Sequence, residues 1–231
     1  MKLLAFDTST DNCSLTLAND AGVVVTRSLM SAKTHTKVFF ELLTESLRIA
    51  GWQLNDLTLL AFGAGPGSFT GVRLAASLVQ GLASAMGLPV YPISTLQILA
   101  EMAHHKCGAT KVIVMQDARM QELYAGEYLW NSEEKIMQPV RPEQLINYEY
   151  GKTWCEPNAT VIGSGVKLLS LPDKMPTFPE ICYIDSGYMA RIVLWKLMHG
   201  ITPVEAEAAL PVYLRDQVAQ TIEERKKKNL I

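Results

Sequence analysis

The 231 residues are 48% hydrophobic and 19% charged, a balance that supports a packed core and excludes global disorder. The length allows one large domain or two lobes of about 100 residues each. A net charge of −2 offers no broad attraction for nucleic acid, so any RNA contact has to be local or arranged by a partner.

Residues 3–6 read as a short apolar strand ending in Asp7-Thr8-Ser9-Thr10. Residues 13–18 and 23–29 are two further strands, turned at Asn19-Asp20-Ala21-Gly22, which suggests an antiparallel meander. A helix from Thr34 or Thr36 to Ala50 is closed by Gly51. The strand 57–62 enters the glycine-rich turn Gly63-Ala64-Gly65-Pro66-Gly67, and a second helix runs from Phe69 to Met86, ended by Gly87. The strand 89–93 leads into Ser94, the N-cap of a third helix to His104. Arg73 is the one charged residue from Leu57 to Ala100. Even so, Gly63, Gly65, Pro66, Gly67, Gln80, Gly87, Pro89 and Pro92 break the stretch into pieces too short to span a bilayer, so no membrane partner is expected.

The second half replays this order. Lys111-Val112-Ile113-Val114-Met115-Gln116-Asp117 echoes residues 2–7, and Val161-Ile162-Gly163-Ser164-Gly165 echoes the strand and glycine turn at 60–65. Cys182-Tyr183-Ile184-Asp185-Ser186, followed by a helix to His199 and Gly200, echoes residues 90–94 and their helix. Three matches in one order signal internal duplication. A β-β-β-α-β-α-β-α unit occurring twice is the actin and sugar-kinase architecture. The expected fold is therefore α/β and actin-like (the ASKHA, ribonuclease H-like class), with lobes at residues 1–108 and 109–231. The second lobe is reduced, because the long 69–86 helix has no full counterpart there. The Pro-rich stretch 171–180 reads as a loop.

Cys13, Cys107, Cys155 and Cys182 are scattered without C-x-x-C spacing, and the N-terminus lacks a signal-peptide pattern. Buried free thiols in a reducing cytosol are the expectation, hence a cytoplasmic location.

The strings Phe6-Asp7-Thr8-Ser9, Gly65-Pro66-Gly67-Ser68-Phe69-Thr70-Gly71-Val72-Arg73 and Pro92-Ile93-Ser94-Thr95-Leu96 resemble the TsaB (YeaZ) family. In the second half, Asp117-Ala118-Arg119 and Tyr213-Leu214-Arg215 also look like that family. The resemblance implies a paralogue of TsaD, the subunit that transfers threonylcarbamoyl to tRNA. It implies pairing with TsaD as a heterodimer, with the ATPase TsaE joining and the product of TsaC used by the complex. It further implies contact with tRNA only through that complex, and an adenine nucleotide, if any, at the partner interface.

The catalytic paralogue binds metal through an H-x-x-x-H pair, in which two imidazoles one turn apart converge on an ion. The corresponding stretch here, residues 94–102, has no histidine, and adjacent His104 and His105 point about 100° apart on a helix. No metal site is expected. Actin-like ATPases grip phosphate with two small, glycine-bearing turns whose N–H groups approach the anion. Asp7, Thr8 and Ser9 are the nucleotide-contact candidates, but their turn has no glycine, and Asp7 is read first as a turn cap. The second turn, Asp117-Ala118-Arg119-Met120-Gln121, places bulky side chains where phosphate would lie. Gly163-Ser164-Gly165 reads as a tight turn. Ser68 lies outside any G-x-S-x-G string, so no catalytic residue is assigned.

On the 69–86 helix, Leu74, Leu78, Leu82 and Ala85 make one apolar stripe, expected to pack on the sheet, and Val72, Ala75, Ala76, Val79, Ala83 and Met86 make another. On the first helix, Phe39, Leu43, Leu47 and Ala50 are the expected core stripe, with Val38, Leu42 and Ile49 partly on the other side beside Glu41 and Glu45. A helix apolar on two faces is covered on two faces. The expected partner interface is therefore Val38, Leu42, Glu45, Ile49, Val72, Ala75, Ala76, Val79 and Ala83, completed by a partner's helix pair as a four-helix bundle, or by a second copy as a homodimer when TsaD is absent. The alternative is that the chain's own C-terminal segment covers the patch. The tail Arg225-Lys226-Lys227-Lys228, after a helical run from Asp216, reads as a complement to the helix C-terminus, with a tRNA-backbone contact as the alternative. The expected role is thus a non-catalytic scaffold; the rival is a stand-alone actin-fold ATPase or small-molecule kinase.

Overall fold

Alternating apolar residues and two turn signals organise the first thirty positions into a meander, β1 (Lys2–Asp7), β2 (Asn12–Asn19) and β3 (Gly22–Met30), paired antiparallel. The computed structural model describes residues 1–30 and 35–215, so the tail from Asp216 lies outside the described residues. The chain continues with α1 (His35–Ala50), β4 (Leu59–Gly65), α2 (Phe69–Met86), β5 (Val90–Ser94) and α3 (Thr95–Cys107). Gly51 and Gly87 take φ of 67° and 64° after the first two helices, the left-handed C-terminal cap that glycine makes without Cβ strain. The Ser94 hydroxyl caps α3 by accepting from the N–H groups of Leu96 and Gln97. β4 runs parallel to β1 and β5, giving the order β3-β2-β1-β4-β5.

The second lobe repeats the pattern with β6 (Lys111–Arg119), β7 (Glu122–Asn131), β8 (Ile136–Pro139), β9 (Gln144–Asn147), α4 (Tyr148–Trp154), β10 (Thr160–Ile162), β11 (Thr177–Phe178) and α5 (Ser186–Met198). Its sheet order is β11-β10-β6-β7-β8, with β9 also on β7. Antiparallel β6–β7 and parallel β6–β10 reproduce β1–β2 and β1–β4. This is the duplicated, actin-like α/β fold, and its second lobe is cut down: a single 3-10 turn, Ser164–Leu168, stands where the first lobe has the 18-residue α2.

One strand differs from expectation. Residues 182–184 are not in the sheet; the edge strand is β11, inside the stretch read as a loop, where Thr177 and Phe178 pair with Val161 and Ile162. The carbonyls of Cys182 and Ile184 are instead taken by the side-chain amides of Gln116 and Asn12, each at 2.8 Å, so the backbone there needs no ladder partner.

The strand period of two sorts side chains into layers. Leu3 and Ala5 of β1 share a core with Val112 and Val114 of β6, and α3 and α5 are buried in that core between the sheets. Leu4 and Phe6 face the opposite way, toward α1 and α2, while Ile113 and Met115 face α4. The N-terminus of α5 is fastened to the first sheet by hydroxyls, with the Ser186 Oγ 2.9 Å from Ser14 Oγ and 2.8 Å from Thr16 Oγ1.

The rotation of α2 reverses the expected stripes. Val72, Ala75, Ala76, Val79 and Ala83 are buried in the core beneath the helix, and Leu74, Leu78 and Leu82 are only half-buried. Gly71 explains this: a Cβ there would lie 2.0 Å from the Thr8 carbonyl oxygen. The face carrying Gly71 therefore lies against the β1 turn, and the small residues one and two turns on follow it inward. Val38 and Leu42 of α1 are buried too, whereas Ile49 is 48% exposed and Glu45 pairs with Arg27 of β3 at 2.7 Å. These buried positions have no free surface to offer a partner. The chain's own C-terminal segment also covers part of α2, since Ala206 and Ala209 join its core and Gln80 Nε2 donates to the Ala209 carbonyl at 3.2 Å. Of the four cysteines only Cys13 is fully buried; Cys107 is exposed.

Candidate functional site

The parallel strands β1, β4, β6 and β10 all deliver their C-terminal ends to one side of the molecule, where open α/β sheets form their crevices. The result is a cleft of about 570 Å³ between the lobes. Its walls are Ser9, Thr10 and Asp11 after β1, residues 66–69 before α2, residues 116–120 at the β6–β7 hairpin, and the segments 182–184 and 212–215.

The first turn is consumed by internal bonds. Asp7 Oδ1 accepts from the Ser9 N–H and the Ser9 hydroxyl, both at 2.9 Å. The Thr8 hydroxyl donates to the Gly71 carbonyl at 2.7 Å, and the Ser68 N–H donates to the Ser9 carbonyl at 2.8 Å. The turn is thus tied to the start of α2, and Gly67 and Gly71 permit the approach, since a Cβ on either would strike Ser9 or Thr8. Of the three nucleotide-contact candidates, Ser9 lines the cleft, while Asp7 and Thr8 lie behind it with no exposed surface. Burial pushes the Asp7 carboxyl up to about 7, against the lowering effect of the Ser9 bonds. Its Oδ2 is buried without a hydrogen-bond partner, in a space that Gly63 leaves open: a Cβ there would be 1.8 Å away.

The second turn carries three successive non-glycine residues in left-handed conformation, Arg119, Met120 and Gln121, at φ of 65°, 56° and 60°. Such residues cost roughly 1–2 kcal/mol each and persist where surrounding contacts hold them. Asp117 supplies one such contact, accepting from the Arg119 N–H at 2.8 Å while its other oxygen pairs with Arg119 Nη1 at 3.1 Å. Gly163-Ser164-Gly165 is a tight turn against β6: a Cβ on Gly163 would lie 2.3 Å from the Met115 carbonyl, and the Ser164 hydroxyl accepts from the Asp117 N–H at 3.0 Å. At the mouth, the Arg73 guanidinium lies 3.6 Å from the centre of the Phe69 ring, and its Nε donates to the Tyr213 hydroxyl at 2.9 Å. The G-P-G-S-F-T-G-V-R and Y-L-R strings therefore meet in space, which spacing along the chain cannot reveal.

The histidines sit elsewhere. His104 stacks on Trp130 with ring centres 3.5 Å apart, and His105 Nε2 lies 3.0 Å from the buried Glu101. Among the described residues, no three His, Cys, Asp or Glu side chains converge as metal ligands would, and no helix is long and apolar enough to cross a membrane. Asp7 Oδ2 apart, the carboxylates and hydroxyls described in the two turns bond to the chain's own loops, beside a shaped cleft.

A family model described as TsaD, tRNA N6-adenosine threonylcarbamoyltransferase, matches residues 19–152. The Escherichia coli protein named tRNA threonylcarbamoyladenosine biosynthesis protein TsaB is 35% identical over 95% of this chain and 96% of its own length. The Haemophilus influenzae protein of the same name is 36% identical over 94% and 95%. The solved structure of YeaZ from Pseudomonas aeruginosa superposes with a TM-score of 0.82 at 32% identity, covering 92% of this chain and 99% of that one. On sequence, fold and near-complete coverage alike, the chain belongs to the TsaB (YeaZ) family.

Proposed function

We propose that this chain serves tRNA threonylcarbamoyladenosine biosynthesis in the cytoplasm as a docking subunit with no chemistry of its own. In this reading it pairs with TsaD, helps bring in TsaE, meets tRNA only through the assembled complex, and pairs with itself when TsaD is absent. The complex consumes the product of TsaC, and an adenine nucleotide is accommodated at the partner boundary. The observation that carries the docking role is the outer face of α1. Phe40 there is 50% exposed, and it shares a surface hollow with Lys37, Glu41, Thr44, Glu45 and Arg48. An exposed aromatic ring rimmed by charged side chains is the pattern of an interface rather than of an ordinary solvated helix. The half-buried Leu74, Leu78 and Leu82 of α2 supply the second helix of the face, and two helices a side reach the roughly 1,600 Å² of a stable complex.

The test is gel filtration of the purified chain mixed with TsaD. Phe40→Glu combined with Thr44→Arg should abolish co-elution while leaving the thermal melt of the chain unchanged, because both side chains are exposed in the same hollow. Normal co-elution of that double variant removes the docking reading. The rival reading, a stand-alone ATPase or kinase, would use the interlobe cleft. Calorimetry with ATP and magnesium on the isolated chain separates the two, since tight binding with turnover belongs only to the rival.

A further inference from the structure

Two strings of the second half, Asp117-Ala118-Arg119 and Tyr213-Leu214-Arg215, have no part in the docking face, yet they touch. After α5 the chain returns to the first lobe and is fastened along it. Val204 makes an antiparallel bridge with Val90, with N–H to carbonyl distances of 2.8 and 2.9 Å. The Val212 N–H donates to the Ala64 carbonyl at 2.7 Å, and the Tyr213 hydroxyl accepts from Arg73. Up to Tyr213 these anchors belong to the first lobe.

Two residues later the chain crosses the mouth of the cleft. Arg215 Nη2 donates to the Ala118 carbonyl at 3.0 Å, 97 positions away in sequence, to the Arg119 carbonyl at 3.4 Å and to Glu122 Oε2 at 2.5 Å. Its Nη1 lies 3.2 Å from Met120 Sδ. These acceptors form the tip of the β6–β7 hairpin, the same tip that holds three non-glycine residues in left-handed conformation. A planar guanidinium with several donors suits a site built of two carbonyls and a carboxylate, whereas a lysine ammonium offers one point of charge. The side chain is 16% exposed, so these bonds form largely away from water, where their loss is felt most.

We propose that residues 204–215 are an interlobe latch, anchored on the first lobe and bolted by Arg215 to the β6–β7 tip, which sets the width of the cleft. The core shared by α3 and α5 holds the floor of the cleft; the latch holds its mouth. Breaking the bolt then loosens the two walls without unfolding either sheet. The inference stands independently of the docking role, because none of its residues lines the α1 hollow and it requires no partner.

Hydrogen exchange read by mass spectrometry on the full chain tests it, comparing wild type with Arg215→Ala and Glu122→Gln. Loss of the bolt should speed exchange on the order of tenfold at residues 9–12 and 116–121, the change expected from one charge-assisted hydrogen bond. Amides within β1 and β6 should keep wild-type rates. Acceleration confined to residues 202–215, unchanged rates, or acceleration spread evenly through α1 and α4 would each overturn the latch. If Arg215→Ala fails to fold, Glu122→Gln decides, since it retains the guanidinium and its two carbonyl bonds and removes only the charged acceptor.

Discussion

Asp7 is wholly buried, and its Oδ2 has no hydrogen-bond partner, so ionising it should cost stability that Asp7→Asn recovers. The folded carboxyl keeps its proton up to about 7, whereas the unfolded one releases it at its ordinary value of 3.8. Between those values the folded state holds the extra proton, so stability falls as pH rises and stays low above about 7. At about 1.4 kcal/mol per pH unit, that interval is worth about 4 kcal/mol. The amide keeps the acceptor that Ser9 uses and, like the protonated carboxyl, leaves one uncharged donor in the space beside Gly63. Wild type and variant should therefore converge only below the unfolded value of 3.8, the variant leading by about 2 kcal/mol at pH 5 and by up to about 4 kcal/mol at pH 8. Cys13, the titratable neighbour, is pushed up to about 12 by burial, with the Asp7 charge adding to the effect, so it stays neutral throughout. Urea denaturation of both proteins at pH 5, 6, 7 and 8 measures the difference, in which the half-buried Glu143 carboxyl, also raised by desolvation, cancels. A difference that does not change with pH would refute the ionisation cost. A variant less stable at pH 8 would mean that the carboxylate has a charged partner.

Two further substitutions test the orientation of α2. Val79→Glu places a carboxylate at a position with no exposure and should cost about 3 kcal/mol or more, so little folded protein should survive in a circular-dichroism melt; a stably folded variant would mean that this face is outward. Gly71→Ala drives a methyl to 2.0 Å from the Thr8 carbonyl oxygen and 3.0 Å from Ser9 Cα, both backbone atoms that cannot swing aside. It should lower stability by about 1–3 kcal/mol, visible in the urea midpoint, and a neutral outcome would contradict the close docking of helix and turn.

Much of the fold was legible because it rests on local signals. Gly51 and Gly87 mark helix ends through a left-handed conformation that side chains disfavour, and Ser94 through a hydroxyl that caps two N–H groups; the observed α2 runs from Phe69 to Met86 as the apolar stretch and its closing glycine suggest. The duplicated order of strands emerged from three weak echoes, although the third was misplaced: the edge strand is Thr177–Phe178 rather than 182–184. The faces of α2 depart furthest from expectation. Large leucines suggested the inward stripe, but the helix lies so close to the β1 turn that only Gly71 and the small residues in line with it fit beneath. A glycine in the first turn of an otherwise apolar helix is itself a sign of close approach, and here it marks the buried face. The partner face we propose therefore rests on outward side chains of α1 and α2, because Val72, Ala75, Ala76, Val79 and Ala83 are buried.

The amino-acid order alone determined the elements, their duplication and the family, because periodicity, caps and motif strings are properties of neighbouring residues. Only the tertiary structure decided which side of α2 is buried, that Asp7 Oδ2 lies unpartnered beside Gly63, and that Arg215 reaches the β6–β7 tip. Each of these depends on atoms brought together across tens of residues or more by packing, and no local pattern encodes the distance between them.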